Sequence, residues 1–257
     1  MSNARPADGP TVALLVTCLV DLFRPSVGFA AVALLEQAGC RVEVPLQSCC
    51  GQTAYKYGDR AHARAVAATM LDALEGYEFV VAPSGSCAGM VIRHYPELFA
   101  GTPDEGRATA LAGRTWELVR FLDEVLKVER LEARHEGRVT YHDSCSSLRE
   151  SGTRDQPRRL LGLVEGVELV EAADRDVCCG FGGTFAAKFP EISTALASDK
   201  ADRLSETGAA TVLAGDMGCL LNIAGLLKRR GSAVEVRHVA EVLAGRTDTP
   251  AIGEGGG

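Results

Sequence analysis

The sequence has little positive charge, no long apolar run and none of the common nucleotide or hydrolase motifs. Lysine and arginine total 27 against 34 acidic residues, a net charge of −7, which argues against a nucleic-acid partner because phosphate binding needs clustered cations. No run approaches the roughly 18–20 apolar residues of a membrane span, and residues 1–10 lack a secretion signal. The first strand is not followed by GxGxxG, and a Walker loop and a nucleophile elbow are missing too. We therefore expect a globular, cytoplasmic protein without nucleotide or hydrolase chemistry.

Cysteine is the residue type that stands out against an ordinary composition. Apolar residues make up 46% and charged residues 24% of the 257-residue chain, which is typical of a soluble globular protein with one or two domains. Nine cysteines are present, and in a reducing compartment they are thiols rather than disulfides. A patterned set of such thiols points to metal or redox chemistry.

The cysteines follow a pattern that occurs twice. An adjacent cysteine pair followed by glycine occupies residues 49–51 and again 178–180, and each pair has one cysteine upstream and one downstream. The upstream spacings are 31 and 33 residues, the downstream spacings are 37 and 40, and the two copies are offset by 127 residues. A repeat of this kind indicates an internal duplication. The first set is Cys18, Cys49, Cys50 and Cys87, and the second is Cys145, Cys178, Cys179 and Cys219.

Hydrophobic periodicity predicts strands that alternate with helices. We expect disordered ends at 1–10 and 245–257, a polar loop at 101–107, and a boundary near 129–137 that separates domains at 11–128 and 138–244. The predicted strands are 12–16, 42–46, 79–82, 139–141, 167–170, 211–214 and 234–236. The predicted helices are 27–38, 60–74, 88–94, 116–126, 157–164, 190–205, 220–230 and 238–243.

This alternation predicts an α/β fold made of two pseudo-symmetric halves with mainly parallel sheets. Each cysteine or cysteine pair comes after the carboxyl end of a predicted strand. Loops at that edge of a parallel sheet are where such folds build their sites. Three loops in each half can therefore bring four thiols to one place.

Four convergent thiolates are the usual ligands of an iron–sulfur cluster. The glycine after each pair permits a tight turn, and backbone N–H groups in such loops can hydrogen-bond to sulfur. A zinc site is an alternative, although adjacent cysteines suit one small tetrahedral ion poorly. A vicinal disulfide or redox dithiol and a set of inert buried thiols also remain open. Cys40 has no counterpart in the repeat and is expected to be an inert buried thiol.

A few polar residues near the cysteines are further candidates. His142, in the segment before Cys145, is either a hydrogen-bond donor or proton carrier near the second set or a satisfied strand-end histidine. Arg24, Arg149 and Lys188 either bind a carboxylate, balance the charge of a cluster or lie solvated on the surface. The sequence assigns no catalytic residue.

The two half-motifs resemble the repeat of the cysteine-rich CCG-domain family, which includes proteins of heterodisulfide reductase, of anaerobic glycerol-3-phosphate dehydrogenase and of the glycolate oxidase iron–sulfur system. Longer strings are similar to the L-lactate utilisation branch: VTCLVDLFRPSVG, CCGQTAYKYGD, VAPSGSCAGMVIRHYPELF, YHDSC and CCGFGGTFAAKFPEIS. The resemblance covers about residues 11–244. Like that branch, the chain has no ferredoxin-type CxxCxxC module.

The resemblance implies an iron–sulfur electron-transfer subunit that oxidises L-lactate to pyruvate together with a ferredoxin-type subunit and a third subunit. It also implies one or two 4Fe–4S clusters, cubane or non-cubane, held by the two sets of four cysteines. The wider family closes each half with CxxC, but the first positions of those motifs are Ser84 and Asp216 here. Either residue could supply oxygen to iron or play a plain loop role. A thiol–disulfide reductase subunit and a zinc-bound scaffold are the alternatives.

Overall fold

The computed structural model describes residues 9–254 and contains two parallel sheets of four strands each. The first sheet is ordered β2-β1-β3-β4 and the second β6-β5-β7-β8, and every pairing is parallel. This arrangement confirms the predicted α/β fold with two equivalent halves. The strands are β1 Thr11–Leu14, β2 Arg41–Glu43, β3 Phe79–Ala82, β4 Thr115–Glu117, β5 Arg134–Tyr141, β6 Glu165–Leu169, β7 Thr211–Ala214 and β8 Glu235–His238.

Helices connect the strands and cover both sheets. The central strands β3 and β7 are short apolar runs because parallel strands are buried on both faces. No helix within residues 9–254 is long and apolar enough to cross a membrane. The helical segments are Cys18–Phe23, Pro25–Gln37, Gln52–Tyr57, Arg60–Leu74, Gly85–Gly89, Met90–His94, Tyr95–Leu98, Glu105–Gly113, Leu118–Arg120, Phe121–Val125, Ser147–Ser151, Gln156–Leu161, Phe185–Lys188, Pro190–Glu206, Met217–Arg229 and Val239–Leu243.

Two predictions in the first half are wrong. The helix expected at 116–126 begins with a strand, β4, and the helical segments follow from Leu118. The loop expected at 101–107 ends in the helix Glu105–Gly113. A strand of only three residues beside a helix gives too short an alternating pattern to detect. The repeat itself carried the missing signal, because the second half was predicted to end with a strand before its last helix.

The prediction of disorder after residue 245 is also wrong as far as residue 254. Ala251 and Ile252 are buried, and the N–H of Ile252 donates to the carbonyl of Val236 in β8 at 2.8 Å. Buried apolar side chains and a backbone hydrogen bond hold this segment against the second sheet. At the other end, the carbonyl of Pro10 accepts from Arg41 at 3.0 Å. Residues 1–8 and 255–257 lie outside the described residues.

The two halves share one interface and much of one core. The main hydrophobic cluster contains side chains of both halves, among them Val81 and Val212. Polar contacts cross between them as well, since the N–H of Gly85 donates to Gly215 at 3.3 Å and the ring Nε2 of His238 lies 3.1 Å from the carbonyl of Pro83. The carboxyl ends of β3 and β7 therefore meet at the centre of the molecule. The domain limits at 11–128 and 138–244 stay predictions.

Candidate metal centres

The eight cysteines of the two sets lie beyond the carboxyl ends of strands, as predicted. Cys18 begins the helix that follows β1, and Cys87 and Cys219 lie in the first turn of the helices after β3 and β7. The pairs at 49–50 and 178–179 lie in the loops after β2 and β6. In each half, the three cysteine loops thus lie at the carboxyl edge of the parallel sheet.

The four thiols of the first set form a chain of neighbouring sulfurs. The Sγ atoms of Cys18 and Cys49 lie 3.9 Å apart, and the thiol of Cys50 contacts those of Cys49 and Cys87. The hydrogen bond to Cys49 and burial raise the pKa of Cys18. Hydrogen bonds from Cys18 and Cys50 lower the pKa of Cys49 to about 2. These pKa shifts favour a thiolate at Cys49 beside protonated neighbouring thiols. A bound cation would remove the protons of those neighbours, since metals bind the thiolate form.

The second set repeats this order of contacts. A thiol hydrogen bond to Cys178 and burial raise the pKa of Cys145. The hydrogen bond with Cys178 lowers the pKa of Cys179, but the hydrogen bond with Cys219 and burial outweigh it and raise the pKa. Within each set, every thiol thus interacts with at least one other thiol of the same set. Such clustered thiols suit a metal ion or an iron–sulfur group.

The glycine after each pair is required by the backbone. Gly51 and Gly180 both have φ of +81°, which L side chains rarely adopt. Both turns press against a helix, since a Cβ on Gly180 would lie 2.4 Å from the carbonyl oxygen of Ser193, and one on Gly51 would lie 3.1 Å from that of Ala63. The N–H of Gly180 donates to the Sγ of Cys178 at 3.3 Å. The predicted tight turn and the predicted N–H to sulfur contact are both confirmed at this loop.

A side chain from the helix after the last cysteine holds each pair in place. The hydroxyl of Tyr95 donates to the carbonyl of Cys50 at 3.0 Å, and the amide of Asn222 donates to the carbonyl of Cys179 at 2.7 Å. Both contacts satisfy a buried acceptor that a metal-binding loop would otherwise leave without a partner. Each half thus links its second and third cysteine loops through this hydrogen bond, and the first half adds one from the amide of Gln52 to the carbonyl of Ser86 at 2.8 Å.

The first set opens on apolar surface. A cavity of about 590 Å³ touches Cys18 and Cys49 and is walled by Leu22, Val44 and Leu46, all of which are exposed. A second cavity of about 350 Å³ touches the first set and reaches the loop after the second cysteine pair. The first set is therefore accessible both from outside and from the side of the other half.

The second set has buried polar neighbours. His142 is 1% exposed and Lys200 is fully buried. The nitrogen of His142 and the sulfurs of Cys179 and Cys219 lie within 4.8 Å of one another. Burial, aided by the charge of Lys200, lowers the pKa of His142 to about 3. The imidazole is therefore neutral, which is the form that binds metals.

Sequence analysis missed Lys200 and the ion pairs of Asp143. The ammonium of Lys200 donates to the two carbonyls of Asp174 and Arg175 at 3.2 and 2.9 Å, in the loop before the cysteine pair. Asp143 is 2% exposed and pairs with Arg158 at 2.8 Å. The available signal was periodicity, because the buried positions of the helix Pro190–Glu206 repeat those of Arg60–Leu74 at an offset of 130 residues, with lysine in place of a methionine.

Ser84 and Asp216, the positions at which the family resemblance predicts a further cysteine, bond to each other across the two halves. One carboxylate oxygen of Asp216 accepts from the hydroxyl of Ser84 at 3.1 Å and from the N–H of Ser86 at 2.9 Å. The other accepts from the N–H of Gly218 at 3.2 Å. The hydroxyl of Ser84 also accepts from the N–H of Cys87 at 3.3 Å. The two residues tie the central loops of both halves together.

We expect Asp216→Ala to destabilise the protein by about 2–4 kcal/mol, because three donors lose a buried charged acceptor. Bound metal should stay at the level of the unsubstituted chain. Urea denaturation and metal analysis measure the two effects. Ser86→Ala is the matched control, since its backbone N–H still reaches the carboxylate, and it should cost about 1 kcal/mol or less. Loss of metal in Asp216→Ala alone would instead make the carboxylate a ligand.

The three basic candidates do not converge on either cysteine set. The guanidinium of Arg24 pairs with Glu241 at 2.8 Å and so joins the halves. The ammonium of Lys188 lies 3.8 Å from the ring centre of Tyr57, and Arg149 is exposed. These three residues therefore do not form a carboxylate-binding site together.

Cys40 lies in the hydrophobic core. Burial, with a smaller effect from the charge of Glu78, raises the pKa of its thiol to about 11. A neutral buried thiol is unreactive. This environment agrees with the expectation that Cys40 is an inert core residue.

The chain is similar to proteins with the same duplicated cysteine pattern. The model of the cysteine-rich domain family CCG matches residues 12–92 and again 139–224. Lactate utilization protein A of Geobacillus kaustophilus is 46% identical over 237 residues, covering 91% of this chain and 99% of that protein. The protein of the same name from Oceanobacillus iheyensis is 44% identical over 234 residues, covering 90% of this chain and 96% of its own length.

A solved structure shares the fold. A hypothetical protein from Helicobacter pylori superposes with a TM-score of 0.56 at 12% identity, covering 97% of this chain and 52% of that one. At this identity the likeness concerns the fold alone. The repeated family match and the identity with relatives over nearly their whole length show that the chain belongs to the lactate utilization protein A family of cysteine-rich CCG-domain proteins.

Proposed function

We propose that this chain is an iron–sulfur electron-transfer subunit of an oxidoreductase complex that converts L-lactate to pyruvate. The observation that carries the proposal is the pair of equivalent thiol groups at the central sheet edges. The names of the relatives supply the substrate. The proposed ligands are Cys18, Cys49, Cys50 and Cys87 for the first site and Cys145, Cys178, Cys179 and Cys219 for the second.

The donor set favours iron–sulfur clusters over single zinc ions. Each group takes its four thiols from three separate loops, and two of those thiols are adjacent in sequence, an arrangement that suits a group wider than one ion. The N–H of Gly180 directed at Cys178 stabilises negative charge on sulfur. A 4Fe–4S cluster, cubane or non-cubane, would supply one-electron transfer at each site.

The chain shields one side of each site from solvent and leaves the first site open on another side. Cys50, Cys87, Cys179 and Cys219 are buried, so one side of each site is shielded from solvent, which helps to set its potential. The cavity beside Cys18 and Cys49 is open to the outside. We propose that the ferredoxin-type subunit approaches at this side of the first site.

Removal of two electrons and two protons from L-lactate is assigned to a partner subunit. The three basic residues expected from sequence to bind a carboxylate lie apart from both cysteine groups, and no residue here is assigned as catalytic. This chain would accept the electrons one at a time. The ferredoxin-type subunit and a third subunit complete the proposed complex.

Anaerobic purification followed by iron, sulfide and zinc analysis tests the proposal, with electron paramagnetic resonance on the same sample. About eight irons with matching sulfide are expected for two four-iron sites, and about four for one. In the presence of the partner subunits, lactate is expected to reduce the clusters and so to change their resonance signal. Zinc without sulfide would overturn the electron-transfer function. Turnover of a disulfide substrate, with none of lactate, would favour the thiol–disulfide alternative.

A further inference from the structure

The two candidate sites differ at one strand-end position. Leu15 and His142 are equivalent, because the N–H of Leu15 donates to Val81 in β3 and the N–H of His142 donates to Leu213 in β7, both at 2.8 Å. Leu15 packs in the apolar cluster that contains two cysteines of the first set. His142 lies against the matching cysteines of the second set. The first site therefore has a hydrocarbon where the second has an imidazole.

The backbone directs His142 towards the sulfurs. Successive side chains at a strand end point to opposite sides, and the next residue, Asp143, is held by Arg158 and Arg175 at 2.8 and 3.5 Å. This pairing keeps the carboxylate away from the thiols. The ring of His142 then lies within 4.8 Å of the sulfurs of Cys179 and Cys219.

Neither ring nitrogen of His142 has a hydrogen-bond partner within residues 9–254. A buried polar group without a partner costs about 1–3 kcal/mol. His238 shows how this chain satisfies a buried histidine, because one ring nitrogen accepts from Ala240 at 3.1 Å and the other lies 3.1 Å from the carbonyl of Pro83. His142 is thus a buried imidazole that has no hydrogen-bond partner within residues 9–254 and lies beside two cysteine sulfurs.

We propose that His142 is a nitrogen ligand of the second metal centre, which makes that centre a mixed cysteine and histidine site while the first is bound by sulfur alone. The proposal rests on metal binding by the second cysteine set, as proposed above. One ring nitrogen binds the metal at the end of the site formed by Cys179 and Cys219. The histidine would occupy the coordination place that Asp216, bonded to Ser84, Ser86 and Gly218, does not supply.

A nitrogen ligand changes the electronic properties of a centre. Imidazole is a neutral ligand, so in the place that a further thiolate would take it adds no negative charge to the metal and gives a higher reduction potential than that thiolate would. The buried ammonium of Lys200 close to this site acts in the same direction. The second centre is therefore expected to have the higher potential and to be the point to which electrons move within the chain.

Pulsed electron paramagnetic resonance of the reduced full chain tests the proposal. We expect an imidazole ¹⁴N coupling that becomes a ¹⁵N coupling with labelled histidine, disappears in His142→Leu and persists in His62→Leu, a control at an exposed position. Leucine is the residue of the equivalent site, so it should fold, and circular dichroism checks that. His142→Cys is a second variant that should keep the metal and lose the nitrogen coupling.

Metal analysis separates failure of this inference from failure of the proposed function. An iron–sulfur chain without nitrogen coupling, or one with unchanged coupling in His142→Leu, would overturn the nitrogen ligand while leaving electron transfer intact. If the second site holds zinc, X-ray absorption at the zinc edge replaces the resonance measurement. A nitrogen neighbour lost in His142→Leu would then support the ligand, and four sulfurs alone would overturn it. A second cysteine set that binds no metal would overturn the nitrogen ligand, whereas about four irons with sulfide at the first set would still support electron transfer.

Discussion

Replacing both Cys49 and Cys50 with serine is expected to remove about half of the bound iron and sulfide, because the two central sulfurs link the others of the first set. The double variant of Cys178 and Cys179 should lose the other half. Iron and sulfide per chain, measured after anaerobic purification, give the result. The nitrogen coupling assigned to His142 should remain in the first variant and vanish in the second.

Cys40→Ala is the matched control for these variants. Its thiol is buried in the core and belongs to neither set, so iron content should be unchanged while stability falls by about 1 kcal/mol. Retention of all the iron in either double variant would remove that cysteine pair from the proposed ligands. Loss of all the iron in both would mean that the two sites assemble only together.

Gly180→Ala is expected to destabilise the protein by about 3 kcal/mol or more. Alanine at φ of +81° costs about 1 kcal/mol, and its Cβ would meet the carbonyl oxygen of Ser193 at 2.4 Å, which forces the backbone apart. The displacement would also break the hydrogen bond from Ser193 to the carbonyl of Gly180. Metal content should fall, because the N–H of Gly180 faces Cys178.

Gly183→Ala is a control that separates the cost of the backbone conformation from the cost of the steric contact. Gly183 has φ of +66°, and its missing Cβ would point into open space, so only the conformational cost of about 1 kcal/mol applies. Urea denaturation of both variants measures the difference. Equal losses of stability would show that the loop moves aside and that the close approach to the helix is not needed.

Several elements were predicted closely because their sequences are unambiguous. The strands at 79–82 and 211–214 and the helix at 60–74 have the bounds of the structure, since short apolar runs and long amphipathic segments give strong periodic signals. Short elements without a distinct apolar run gave none. The strand at 115–117 and the helical turn that begins at Cys18 were missed, because their conformation depends on neighbours in the sheet.

The sequence by itself determined the duplication, the parallel α/β halves and the division of eight cysteines into two sets. These follow from spacing and periodicity, which are local properties that act in the same way in each copy. The tertiary structure alone decided what surrounds the sulfurs. The bond between Ser84 and Asp216 crosses 132 residues of chain. The contrast between His142 and Leu15 depends on which strands pack side by side. Contacts of this kind arise only when the two halves fold against each other, and the energies that select them are summed over the whole core rather than over any segment.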